Sequence, residues 1–377
     1  MKDDVLLVFP SAFTVNKISY LQSSIKNALE ASNIKCKDMF VDGSLIIADV
    51  DDAVAAASIV ADLFGVDKVA IAIKTSNKFN DLVVAIVDVG KKIIHDGETF
   101  AVRVDANKTE YVGRDVEFAA TASLIGELSK LNVKAVNEQV CNKLLYAYVS
   151  QNSAYVCMFI DKGLNGLPLG SQNEQLLCSL HNNLSALSCL MIIKCGFNPK
   201  VVLLKTDEES FRESAKNLEL IARRLGKKKM QLDIAIADIA NNGSQMLVRE
   251  KLSSMILARL SARYNIKNIA LPLSTAVFPS WFVSDIVSDV AKVAVPWLPL
   301  MFMSDELYSN ADLLGLKDFI TGIDSISKTD LDADKYAQVM KTINLQDIVD
   351  RAIKSIKTVD LEMGPNYLHD IIDLVTI

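Results

Sequence analysis

From residue 174 onward the chain alternates short apolar runs with helical stretches, and few folds accommodate that rhythm. The runs are Leu176–Ser179, Val201–Lys205, Leu232–Ala237, Ile269–Leu273 and Val295–Phe302. Such alternation predicts a parallel sheet covered on both faces by helices. Ligands in these sheets bind at the carboxyl ends of the strands. The first run leads into Leu176 to Gly196, LLCSLHNNLSALSCLMIIKCG, which reads as strand, polar turn and apolar helix ended by a glycine. This is the outline of a phosphate loop. Backbone N–H groups reach an anion at a helix N-terminus only past small residues, usually glycines. Here the turn is Leu180, His181, Asn182, Asn183, Leu184 and Ser185, with neither a glycine nor a carboxylate for magnesium. The scaffold of an anion site is present without its chemistry.

Upstream, residues 1–75 read as strand, helix, strand, strand, helix, strand. Val5–Phe9 is a short apolar run, and Ile18–Ala31 has helical spacing. Lys37–Val41 and Ser44–Ala48 flank Asp42-Gly43, a pair that favours a tight hairpin turn. Asp51–Phe64 is an alanine-rich helix stopped by Gly65, and Lys68–Ile73 closes the unit. This βαββαβ order is the ferredoxin-like plan. Residues 76–165 begin with a helix at Asp81–Ile94 and a strand near Phe100–Val104, then a helix at Val116–Leu131. Strands follow at Val133–Val136, Leu144–Val149 and Ala154–Ile160, the last two forming a hairpin. Lys162–Gly170, KGLNGLPLG, reads as a domain boundary.

The 377 residues suit two or three domains. No apolar run is long enough to span a bilayer, and Met1-Lys2-Asp3-Asp4 does not open a signal peptide, so a cytoplasmic protein without membrane association is expected. The net charge of −6 lacks the basic footprint of a strong nucleic-acid binder. The densest positive cluster is Arg223, Arg224, Lys227, Lys228 and Lys229, whose simplest role is to complement a helix C-terminus. The six cysteines, Cys36, Cys141, Cys157, Cys178, Cys189 and Cys195, form no CxxC pair and mostly have apolar neighbours. They read as reduced, largely buried thiols, and no metal site is expected.

Three segments resemble the tRNA 4-thiouridine synthetase family, also called the thiamine-biosynthesis sulfur-transfer family. Phe100-Ala101-Val102-Arg103 with Lys108 is similar to the family's FxVRxxRxDK segment. Asn165-Gly166-Leu167-Pro168-Leu169-Gly170 looks like its GGLPVG linker, and Pro299 to Leu307 is similar to its PLIGMDKEEI segment. The resemblance implies an α/β protein in three parts. These are an N-terminal ferredoxin-like α+β domain (1–75), a tRNA-binding THUMP domain (76–165) and, after a linker (166–173), a C-terminal parallel-sheet PP-loop domain of the adenine nucleotide alpha hydrolase type (174–377). The departures matter as much. The family's SGGxDS loop corresponds to Leu180–Ser185, where only Ser185 matches; His181 and Asn182 replace glycines and Leu184 replaces the aspartate. Its TGESLGQ segment corresponds to Leu271–Val277 without the glycines. Its catalytic cysteine would fall near Asp324–Asp330, and no cysteine follows Cys195.

In the THUMP-like segment Arg103 and Lys108 are the candidate contacts to tRNA phosphates that the resemblance implies, with Lys91, Lys92 and Arg114 as further exposed cations. Asp105 and Glu110 weaken the local field. In the loop, His181 reads as an exposed turn histidine, Asn182 and Asn183 as turn formers, and Ser185 as a helix N-cap. Trp297 reads as core and Phe278-Pro279-Ser280-Trp281 as a loop capping the vacated site. The leading expectation is a tRNA-binding pseudoenzyme without a cofactor, acting beside a sulfur-transfer or tRNA-modification protein. Two alternatives stand beside it: an active thiolation enzyme using ATP and magnesium, and a protein-interaction scaffold. A homodimer is open. Leu180 or Leu184 is expected to fill the space a nucleotide would take, rather than both lying exposed in an open cleft.

Overall fold

In the computed structural model, the described residues are 4–106, 110–227, 229–237, 245–323 and 331–362. They divide into two compact units, one of Met1–Ile18 with Asn33–Asn165, the other of Ser19–Ser32 with Gly166–Ile377.

The first unit is built on one eight-stranded sheet. Its elements are β1 (Asp4–Pro10), β2 (Cys36–Asp42), β3 (Leu45–Val50), α2 (Ala53–Ala61), β4 (Val66–Thr75), α3 (Phe79–Ile93), β5 (Thr99–Ala106), α4 (Gly113–Glu127), β6 (Lys134–Ala135), β7 (Lys143–Val149) and β8 (Ala154–Lys162). The helix α1 (Ile18–Ala31), which lies between β1 and β2 in sequence, groups almost entirely with the second unit, where the Tyr20 hydroxyl donates to Asn173 Oδ1. The strand order is β2-β3-β1-β4-β8-β7-β5-β6. Its first four strands are antiparallel in the ferredoxin-like arrangement, and β8 continues the same sheet, so residues 1–75 and 76–165 share one ladder. Gly43, at φ +63°, makes the β2–β3 turn as Asp42-Gly43 predicts. The turn also needs the missing side chain, since a Cβ there would collide with the Tyr148 hydroxyl. One core lies under α3 and α4, joining Leu82, Ile86, Phe100, Val116, Leu124 and Leu145. A second, around Leu7, Ile47, Tyr148, Tyr155 and Cys157, lies on the other face. α4 ends at Glu127, a turn short of the predicted Leu131.

The second unit carries a six-stranded sheet in the order β13-β12-β9-β10-β11-β14. The strands are β9 (Gln175–Leu180), β10 (Asn198–Lys205), β11 (Lys229–Ile236), β12 (Asn268–Ala270), β13 (Val295–Trp297) and β14 (Lys357–Glu362). Five run parallel, as the alternation predicts. The sequence gives no sign of β14, which pairs antiparallel with β11 at the edge; its Lys-Thr-Val-Asp-Leu-Glu is too polar to stand out as a strand. The described helices are α5 (Asn183–Lys194), α6 (Glu208–Leu225), α7 (Gln245–Tyr264), α8 (Ser280–Ala291), α9 (Asp305–Leu313), α10 (Lys317–Thr321), α11 (Ala333–Thr342) and α12 (Leu345–Lys354). From β9 the chain runs to β10 and β11 on one side and later to β12 and β13 on the other. The order therefore reverses beside β9, and the turn leaving its carboxyl end sits where such sheets bind ligands.

Candidate functional site

The turn after β9 is closed by its own side chains. Asn182 is the N-cap of α5: its side chain accepts from the Ser185 N–H at 2.8 Å. Ser185, read from sequence as the cap, instead occupies the third helical position and completes a capping box. Its Oγ accepts from the backbone N–H groups of Asn182 (3.0 Å) and His181 (2.9 Å) and donates to the Asn182 carbonyl (2.7 Å). The correction is local: the helix begins three residues earlier than a cap at Ser185 would place it, so the asparagine precedes it. Three backbone donors at the head of α5 are thus bonded within the loop.

His181 is also not the exposed turn histidine its setting suggests; it is completely buried. Its Nε2 lies 3.0 Å from Glu250 Oε1 on α7, and the Asn182 amide donates to the same oxygen at 2.6 Å. That oxygen already serves as acceptor to the amide, so Nε2 is the donor side of the imidazole contact. Nδ1 is buried with no partner among the described residues. Asn183 is tied to α6, donating to Glu213 at 2.9 Å and accepting from the buried Asn217 at 2.8 Å. Leu180 is fully buried on β9, and Leu184, in the first turn of α5, is 2% exposed.

Sequence reading missed α7. Within five residues Arg249 donates to Asp207 at the start of α6 (2.7 Å), Glu250 holds the turn, Lys251 donates to Asp285 and Asp289 on α8 (2.6 and 2.8 Å), and Ser253 donates to Ser179 on β9 (2.8 Å). Asp207 feels burial, which raises its pKa, but the two Ser210 hydrogen bonds and the Arg249 charge outweigh it and hold the pKa below the ordinary carboxylate value. The only sequence signal for this hub is Arg249-Glu250-Lys251, three successive charges on a helix too buried to leave them all in water.

The second strand-end loop is also apolar. Leu271, Leu273, Ser274, Val277 and Phe278 are buried, and the Phe278 ring packs against Phe282. Trp281 stands partly exposed against Phe282 and Tyr336. Trp297 is not core: it is 38% exposed at the sheet edge, its ring against Phe197 and its N–H donated to Asn268. β13 is an edge strand of three residues, so one of its faces stays open. The expected position of the catalytic cysteine, 324–330, lies outside the described residues.

The candidate RNA contacts fall into two kinds. Arg103 is exposed but lies 3.8 Å from Glu117 and 3.9 Å from Glu138, and Lys91 is 2.9 Å from Glu127, whose hydrogen bond and charge raise the lysine pKa. Lys92 and Arg114 are exposed and make no ion pair among the described residues. Lys108 lies outside the described residues. The described cations of the 223–229 cluster are either in exposed surface pairs or drawn into the fold. Arg223 pairs with Glu219, Lys229 pairs with Glu362, and Lys227 donates to Asn198 with its pKa lowered by burial. Arg224 is nearly buried, and Lys228 is not among the described residues. Gly226, at φ 55°, caps the helix that carries Arg223 and Arg224.

No family model matches the chain. The probable tRNA sulfurtransferase of Methanosarcina mazei is 28% identical over 178 residues, covering 47% of this chain and 44% of the relative. That of Methanosarcina acetivorans is 26% identical over 183 residues, covering 47% and 43%. About half of the chain is thus similar in sequence to probable tRNA sulfurtransferases. Each match spans less than half of the curated relative's length. Two solved structures share the fold. A 4-thiouridine synthetase crystallised with RNA and bound ATP has a TM-score of 0.68 at 14% identity, covering 96% of this chain and 100% of that one. PH1313 from Pyrococcus horikoshii Ot3 has a TM-score of 0.67 at 19% identity, covering 83% and 100%. The architecture is therefore that of a ferredoxin-like, THUMP and PP-loop protein.

Proposed function

We propose that this chain is a non-catalytic tRNA-binding member of the sulfurtransferase group, in which the nucleotide loop has become a structural joint. The observation that carries the first half is the closure of the loop. The N–H groups of His181, Asn182 and Ser185, which an ATP phosphate would need, are already bonded to side chains of the same turn. Opening them to an anion breaks a capping box and disturbs the buried His181–Glu250 contact, so phosphate binding competes with the fold. Leu184 stands where the resemblance places an aspartate, and its burial with Leu180 fills apolar space rather than exposing a metal ligand. Burying either leucine is worth about 1.5–3 kcal/mol.

RNA binding rests on the shared fold with the RNA-bound 4-thiouridine synthetase and on Lys92 and Arg114, exposed cations available for phosphates. Arg103 and Lys91 can exchange their exposed glutamate partners for phosphate at little cost, because such pairs contribute about 0–1 kcal/mol. A sulfur-transfer or tRNA-modification protein acting on the same tRNA would supply the chemistry. The same glutamates favour a second reading, a protein-interaction scaffold, by leaving the THUMP-like segment without a positive excess.

Filter binding of tRNA across a salt series tests the RNA half. The expected result is binding at low salt that weakens as salt rises, and weakens further in Lys92→Glu and Arg114→Glu. Absence of binding at low salt would leave the scaffold reading. Calorimetric titration with ATP and magnesium tests the other half: heat of binding at ordinary micromolar affinity would restore the enzyme.

A further inference from the structure

The hairpin of β7 and β8 comes apart soon after it forms. The two strands pair at Ala147 with Val156, Tyr148 with Tyr155 and Val149 with Ala154. Beyond that, β7 follows β5 and β8 follows β4 out to Lys162. A continued ladder would have joined Tyr146 to Cys157 and Leu144 to Phe159. Instead the strands part around a cleft of about 490 Å³, with Leu144 and Tyr146 on one side and Met158, Phe159 and Ile160 on the other. Phe9 stands at its wall, its ring edge-on to Tyr146.

Two properties of this cleft define an occupant. First, both walls are strand edges, and each edge presents alternating N–H and C=O groups that are not paired across the gap. A polypeptide in extended form offers donors and acceptors to both edges at the strand repeat. A phosphodiester backbone offers acceptors alone. Second, the mouth is cationic. Lys68 lies directly opposite Lys162 in the β4–β8 ladder, a like-charge pair that costs stability until an anion sits between its members. Lys68 and Lys143 line the cleft itself, and Lys162 stands beside it on β8, two residues past the lining Ile160. The nearest carboxylates hold these lysines loosely, Asp67 at 3.9 Å from Lys68 and Glu98 at 3.7 Å from Lys143. We propose that the cleft takes up an extended segment of a partner protein as an inserted strand, one that alternates apolar and acidic residues. The apolar side chains would meet Tyr146, Phe159 and Ile160, and the carboxylates would meet Lys68 and Lys162. This site is independent of the tRNA reading.

The test uses the full chain and a fluorescent probe peptide of alternating valine and glutamate, six residues long. Controls are the same peptide N-methylated at alternate amides, its valine–lysine counterpart and a six-nucleotide oligouridine. Saturable binding of the acidic peptide is expected, with a loss of about tenfold or more on N-methylation and in a Lys68→Glu, Lys162→Glu double variant whose folding is checked by circular dichroism. Hydrogen exchange should slow at amides 143–146 and 157–160 when the peptide binds. The proposal is overturned if the acidic peptide does not bind, if N-methylation or the double variant leaves binding unchanged, or if protection appears elsewhere. Oligouridine protecting the cleft where the peptide does not would assign it to RNA instead.

Discussion

Removing the Glu250 carboxylate should destabilise the second unit well beyond an ordinary surface change. Glu250 is buried, and its Oε1 accepts from His181 Nε2 at 3.0 Å and from the Asn182 amide at 2.6 Å. In Glu250→Ala both donors lose their acceptor. A buried polar group left unpaired costs about 1–3 kcal/mol. His181 bears that cost in full, because it has no exposed surface and its Nδ1 already lacks a partner among the described residues. Asn182 is half-buried, so water recovers part of its loss. The sum is roughly 2–4 kcal/mol, a large share of a domain's typical stability. Glu250→Gln keeps an acceptor oxygen and should cost less, about 1–2 kcal/mol. Urea unfolding followed by tryptophan fluorescence isolates the effect, since Trp281 and Trp297 are the two tryptophans of the chain and both lie in the second unit. Exposed Glu209→Ala is the control. Pairing Glu250→Ala with His181→Ala should show a coupling of about 1–3 kcal/mol in a double-mutant cycle. A loss within about 0.5 kcal/mol of the control, or no coupling, would refute the view that this network holds the turn closed.

Other outcomes follow from the same structure. Leu184→Ala should cost about 2–5 kcal/mol by the same unfolding assay, since it empties a packed site in the first turn of α5; a neutral result would mean the leucine fills nothing. Replacing His181 and Asn182 by glycine and Leu184 by aspartate together should lower stability without creating measurable ATP binding by calorimetry, because Glu250 and the apolar second loop remain; micromolar binding would show that the loop residues alone barred the nucleotide. The depressed pKa of Asp207 means its stabilisation is complete above the ordinary carboxylate range and is lost as pH falls through the lowered folded value. Unfolding midpoints compared between neutral pH and pH 3 should therefore fall less in Asp207→Asn than in the parent chain, and an equal fall would count against the Arg249–Ser210 environment. For tRNA, a salt slope that stays the same in Arg114→Glu would remove that residue from the interface.

How much of this was legible in the residues depends on the range over which each feature is decided. The β2–β3 hairpin was readable because Asp42-Gly43 encodes its turn within two residues. The five parallel strands were readable because each is a local apolar run between helices. β14 was not, since an edge strand with one covered face needs little apolar content. At the site, the absence of loop glycines and of an aspartate at Leu184 was plain from the sequence, and so was the polar character of the turn. The burial of His181 was not, because its partner Glu250 arrives from a helix 69 positions away in the chain.

The sequence by itself determined the order of the elements, the place of the loop at a strand end, and the absence of a glycine or a carboxylate from the turn 180–185. Those are properties of composition and spacing over a few residues. Only the tertiary structure decided what fills that turn and its surroundings: which residue caps α5, that α7 supplies the acceptor for His181, that Arg224 and Lys227 are drawn into the fold, and that β7 and β8 part into a cleft. Each of these depends on desolvation or on pairing between segments far apart in the chain. Neither is written in local pattern, because a charge or a backbone edge has the same sequence whether water or another strand lies against it.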